Sequence, residues 1–124
     1  MKRIGIIIMA FMFTLFGCTT SVAEYNKISA AKAKEMMDEG NVTVVDVREA
    51  NEYADGHIEG ALLLPVGSID SKAAEVLPDK DAVILLYCRS GNRSKQAANK
   101  LLKLGYTSVY DFGGINGWTY GLVS

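Results

Sequence analysis

Residues 82–87 read Ala-Val-Ile-Leu-Leu-Tyr, six apolar side chains in succession. A strand with one wet face alternates polar and apolar residues, whereas a strand apolar throughout must be covered on both faces. Val42 to Val47 (Val-Thr-Val-Val-Asp-Val) is nearly as continuous and rich in β-branched residues. Strand and helix signals alternate around these runs. Tyr25 to Ile28 is a short strand candidate. Ser29 then caps a helix over Ala30 to Glu39, with Ala30, Ala33, Met36 and Met37 on one side and Gly40 closing it. Glu49 to Ala54 reads as a short helix, Ala61 to Leu64 as a strand ended by Pro65, and Ser68 to Leu77 as a weak helix stopped by Pro78. Ser94 to Leu104 is a helix with Ala97, Ala98, Leu101, Leu102 and Leu104 inward and Gly105 behind it; Thr107 to Tyr110 is a last strand, followed by a Gly113-Gly114 turn. Strands and helices alternating at this spacing predict an α/β fold, a central parallel sheet of five strands with helices on both faces. Ligands of such sheets bind at the carboxyl ends of the strands, and Cys88 follows the most apolar strand directly.

The first 18 residues belong to a different kind of sequence. Lys2 and Arg3 are followed by an uncharged stretch from Ile4 to Phe16. It is shorter than the roughly 20 apolar residues of a spanning helix and fits the apolar core of a signal peptide. Its end, Leu15-Phe16-Gly17-Cys18, resembles the lipobox of bacterial lipoproteins, with Phe16 bulkier than the residue usual at that place. The resemblance implies cleavage before Cys18, a diacylglyceryl group on its thiol, and an exported protein anchored by lipid to the outer face of a bacterial cell membrane (periplasmic or extracellular). The chain then divides into a signal peptide (1–17), a lipidated Cys18 with a polar tether (18–24) and one domain (25–124). Loss of Lys2 and Arg3 reduces 13 basic residues to 11 against 14 acidic ones. Such a balance excludes the basic footprint of a nucleic-acid binder. With Cys18 lipidated no disulfide can form within the chain, and Cys88 is a free thiol in an exported protein, a candidate reactive group.

The loop after the central strand reads Cys88-Arg89-Ser90-Gly91-Asn92-Arg93. A free cysteine is most often a small buried hydrophobe, but this is no core sequence. A cysteine where a strand turns into a helix faces loop amides and the positive end of the helix dipole, which lower a thiol's pKa and favour the thiolate. Gly91 permits a tight bend. Arg89 and Arg93 place two cations beside the sulfur. Cys88 is therefore the candidate nucleophile, with Arg89, Ser90, Gly91, Asn92 and Arg93 as the candidate substrate-binding loop.

Three stretches together resemble the single-domain rhodaneses, sulfurtransferases whose cysteine cycles through a persulfide. They are Val45-Asp46-Val47-Arg48-Glu49 continuing through Glu52-Tyr53 and Gly56-His57-Ile58-Glu59-Gly60-Ala61 to Pro65; Tyr87 to Ser94; and Gly113-Gly114 with Trp118. The resemblance spans residues 25–124 and implies the rhodanese-like version of the α/β fold. It also implies transfer of sulfane sulfur from thiosulfate or a related donor to cyanide or a thiol, through a persulfide on Cys88, with no cofactor. After Trp118 the chain is shorter than the family's usual tail, so a sheet edge is expected to be less covered there. Asp46 and Arg48 are expected to brace the neighbouring loops rather than to react. His57, the only histidine, lacks companion ligands at metal-site spacing; the resemblance implies that it packs and hydrogen-bonds within its loop. Trp118 is expected to pack under the Gly-Gly turn. Two rivals remain. Phosphatases and arsenate reductases of this fold use a loop with five residues between Cys and Arg, where this chain has four, from Arg89 to Asn92. A tethered, non-catalytic sulfur-carrier or binding module is the other.

Overall fold

The computed structural model describes residues 25–124. The signal-peptide segment, Cys18 and the tether to Glu24 lie outside the described residues. The strands are β1 (Asn26–Lys27), β2 (Thr43–Asp46), β3 (Leu62–Leu63), β4 (Val83–Cys88) and β5 (Ser108–Gly114). They pair in the order β1-β5-β4-β2-β3, every pairing parallel. The helices are α1 (Ala30–Glu39), α2 (Ala50–Asp55), α3 (Ile69–Val76) and α4 (Asn92–Lys103). This is the expected α/β fold with a central five-stranded parallel sheet, and its most apolar strand, β4, occupies the centre.

Alternation along β4 divides the core in two. Ile84, Leu86 and Cys88 face α3 and α4, packing among Ile69, Ala73, Ala97, Ala98 and Leu101. Leu85 and Tyr87 face the other way, onto Ala33 of α1, Ile58, Ala61 and Phe112, with Tyr53 of α2 beside them. Burial of such side chains, about 1.5–3 kcal/mol for each large one, holds both helical layers to the sheet.

Two boundaries differ from the sequence reading in ways that shape the site. Helix α4 begins at Asn92 rather than Ser94, because Gly91 takes the cap position at φ 107°. A left-handed residue there costs glycine little. Only Arg89, Ser90 and Gly91 then separate β4 from α4. Strand β5 continues past Tyr110 through both glycines, where Cys88 pairs with Gly114, so Gly113-Gly114 is the end of a strand and not a separate turn. Of the residues expected inward on α4, Leu102 and Leu104 are only partly buried. In the tail after Trp118, Val123 exchanges backbone hydrogen bonds of 2.8 and 2.8 Å with His57. The edge strands β1 and β3 are two residues each, short enough to limit edge-to-edge pairing, and Leu62 on β3 is exposed.

Candidate active site

Cys88 ends β4 with 1% of its surface exposed. The Gly91 amide donates to its Sγ at 3.0 Å. The thiol itself donates to Ser94 Oγ at 3.5 Å, and the Ser94 hydroxyl donates to the Gly91 carbonyl at 3.1 Å. Burial pushes the thiol's pKa up, but the Ser94 hydroxyl and the amides of Ser94, Gly91 and Ser90 together outweigh it, leaving Cys88 more acidic than an ordinary thiol. The groups responsible are largely those a helix start leaves without intrahelical partners. The sulfur thus sits in a ring of donors that stabilise negative charge.

The end of β5 clamps this ring. A Cβ at Gly114 would overlap the Arg89 carbonyl and the Ser90 backbone. The Arg89 carbonyl accepts from the Asn116 amide at 3.2 Å, and Ser94 Oγ also lies 3.5 Å from the Gly113 carbonyl. Close approach of two backbones explains the glycines better than a turn does.

The arginines of the loop differ. Arg93, in the first turn of α4, forms a two-pronged pair with Glu52 of α2, Nη1–Oε1 2.7 Å and Nη2–Oε2 2.9 Å. The hydrogen bonds from Arg93 hold the Glu52 carboxyl down to about 2, against the opposing push of burial. Arg89 is exposed and makes no ion pair among the described residues. It borders a shallow depression of about 210 Å3 with Arg48, Glu52, Asp55, Ile115 and Asn116. Ser90 and Asn92 are exposed, and Ser90 contributes through its amide. A larger surface hollow, about 480 Å3, lies elsewhere, against Met37, Ile58, Trp118 and the tail.

On the opposite face a second network braces the neighbouring loops. Asp46, fully buried, accepts from the Arg48 amide at 2.9 Å and from Arg48 Nη2 at 2.6 Å. Arg48 Nη2 also donates to the Gly56 carbonyl at 2.7 Å. The Ile58 amide donates to the Tyr87 hydroxyl at 3.0 Å. His57 stacks on Tyr53, centroids 3.7 Å apart and planes 5° off parallel, and its Nδ1 lies 2.8 Å from the Tyr53 carbonyl. A carbonyl only accepts, so Nδ1 carries the proton. None of these contacts reaches Cys88, and no cluster of potential metal ligands occurs among the described residues. Trp118 packs on Phe112, centroids 5.5 Å apart.

Residues 29–120 match the rhodanese-like domain family. The chain belongs to that family. A sulfurtransferase of Allochromatium vinosum is 41% identical over 91 residues, 73% of this chain and 83% of its own length. The thiosulfate sulfurtransferase PspE of Escherichia coli is 35% identical over 71 residues, 57% of this chain and 68% of the relative. Among solved structures, a rhodanese-related protein of Thermoplasma volcanium superposes with a TM-score of 0.70 at 32% identity, covering 80% of this chain and 98% of that one.

In this rhodanese-like domain the structure places at the sulfur or its loop three residues to which the sequence alone assigns no site role: Ser94, Glu52 and Gly114. Ser94 carried a signal, since it shares the helical face of Ala97, Ala98 and Leu101; a lone hydroxyl on an apolar stripe needs a partner. Glu52 lies 41 residues from Arg93, a separation no local pattern reveals.

Proposed function

We propose that the protein is a sulfurtransferase that carries sulfane sulfur from thiosulfate or a related donor to cyanide or a thiol through a persulfide on Cys88. The observation that carries this reading is the polar ring around a single buried sulfur, in which the Gly91 amide donates to Sγ at 3.0 Å and the Ser94 hydroxyl accepts from the thiol at 3.5 Å. In the first step the Cys88 thiolate attacks the outer sulfur of thiosulfate. The new Sγ–S bond forms as the old S–S bond breaks, and sulfite leaves with the bonding pair past Arg89. In the second step cyanide or a thiolate attacks the outer persulfide sulfur and frees the Cys88 thiolate. The loop amides stabilise charge without reorganising, as preorganised donors do. The same geometry is a poor phosphate cradle, because the Arg93 guanidinium is engaged by Glu52 and only four residues separate Cys88 from it. The names of the curated sulfurtransferase relatives support the same reading.

Mass spectrometry before and after thiosulfate tests it. A gain of one sulfur on Cys88, discharged by cyanide, is expected. A sulfur that loads but never discharges favours the carrier module, and no adduct sinks the sulfurtransferase. We further propose export and lipid anchoring through Cys18, on the strength of the charged start, apolar core and Leu15-Phe16-Gly17-Cys18. Cys18→Ala should abolish lipid labelling; an unmodified Cys18 in the mature wild type overturns the anchor.

A further inference from the structure

We take the depression beside Arg89, the residue that follows Cys88, as the mouth of the site, and it is not an anion funnel. Four charged side chains line it, the cations Arg48 and Arg89 and the anions Glu52 and Asp55. Arg48 is already committed to Asp46, and Arg93, which lies within electrostatic reach of Cys88, is committed to Glu52. Arg89 is left as the one mouth cation without an ion pair among the described residues, next in sequence to a sulfur that itself becomes an anion. A dianionic donor entering here approaches one free cation, a nearby carboxylate and a thiolate. A donor of the same shape with one charge fewer meets less repulsion.

We infer that Glu52 is a specificity-determining residue: by engaging both guanidinium nitrogens of Arg93 it withholds that cation from the mouth and so favours sulfane-sulfur donors of single charge over dianions. The inference rests on the sulfurtransferase reading above. Glu52 is suited to the task because its other hydrogen bond, from the Glu49 amide at 3.1 Å, fixes it to the start of α2, so the carboxylate cannot swing aside. Two nearly isosteric donors differ in the relevant property. Thiosulfate is a dianion that releases sulfite; methanethiosulfonate is a monoanion in which a methyl replaces one oxygen and the leaving group is methanesulfinate. In both, Cys88 attacks the outer sulfur and the leaving group departs with the electron pair of the broken S–S bond.

The test measures kcat/KM for both donors with the full chain in detergent and takes their ratio, thiosulfate over methanethiosulfonate. Glu52→Gln keeps an oxygen for the Glu49 amide but removes the charge that neutralises Arg93, and should raise the ratio roughly fivefold at low salt. The rise should shrink at 0.5 M salt as charge effects are screened; an effect on shape alone would not. Arg93→Met leaves Glu52 uncompensated beside the mouth and should lower the ratio by a similar factor, which keeps the test alive if Glu52→Gln does not fold. The double variant should return close to the wild-type ratio. A ratio that moves less than twofold in both single variants overturns the role of Glu52 while leaving sulfur transfer intact. Transfer from neither donor by the wild type, with no sulfur gained on Cys88, overturns the underlying reading instead.

Discussion

Tyr87 and Cys88 are consecutive residues at the end of one strand, yet they face opposite sides of the sheet and opposite kinds of surroundings. On the Tyr87 side charge is cancelled in place: Asp46 and Arg48 are both buried and bound to each other, and the spare Arg48 hydrogen bond fixes the Gly56 carbonyl. On the Cys88 side the amides of Gly91, Ser90 and Ser94 converge on a sulfur to which no cationic side chain is bonded among the described residues. The first arrangement is complete without a ligand. The second is complete only when the sulfur carries negative charge, which is what a nucleophile held ready requires. Alternation of side chains along β4 lets one backbone support both, and keeps a strong ion pair one residue away from the thiol without quenching it.

Substitutions on each side should break this division in different observables. The largest effect is expected for Cys88→Ser. Sulfur transfer should fall by roughly three orders of magnitude or more, as losses of a catalytic nucleophile do, while urea unfolding stays close to wild type because the swap is nearly isosteric. Transfer near the wild-type rate would show that another group is the nucleophile. Asp46→Ala should do the reverse. It leaves the Arg48 charge buried without its partner, a change that costs about 3–5 kcal/mol in comparable pairs. The urea midpoint should drop, and adding Arg48→Met should recover part of the loss. An unchanged midpoint would mean that the pair contributes nothing to stability. Gly114→Ala joins the two observables. The new methyl has to displace the Arg89 carbonyl and the Ser90 backbone, so a stability cost of about 1–3 kcal/mol should accompany a drop in transfer of about tenfold or more. Wild-type transfer in that variant would remove β5 from the positioning of the loop.

What could be read from the sequence follows the range of the interactions involved. The continuous apolar runs of β2 and β4 announce burial on both faces, because a strand's covering is written in its own residues. The start of α4 differs from the expected one for a physical reason. Ser94, expected to open the helix, lies in its first turn, and its hydroxyl is used at the sulfur and the Gly91 carbonyl. Gly91 takes the cap through backbone conformation, which leaves a glycine and nothing more in the sequence. Gly113 and Gly114 look like a turn by local rules, and only the register of β5 against Cys88 reveals a close approach of backbones. Glu52 is half visible: it completes a capping box with Glu49, while its pairing with Arg93 belongs to the tertiary structure alone.

Ser94→Ala should give the smallest of these effects and the most specific one. The Ser94 hydroxyl accepts from the thiol and, once the proton has gone, can turn its own hydrogen onto the sulfur. Alanine leaves burial in place, which disfavours the thiolate, and removes the side-chain donor that opposes it most among those acting on Cys88. The midpoint of alkylation rate against pH should therefore rise in the variant. Stability should report the same change. A thiol whose pKa is depressed in the folded state binds fewer protons there than in the unfolded chain, so its contribution is complete above the unfolded value and is lost as pH falls through the folded one. Wild-type stability should gain from Cys88 as pH rises through that window, and Ser94→Ala should flatten the gain while Cys88→Ser removes it. An alkylation midpoint in Ser94→Ala equal to that of the wild type would assign the acidity of Cys88 to the backbone amides alone.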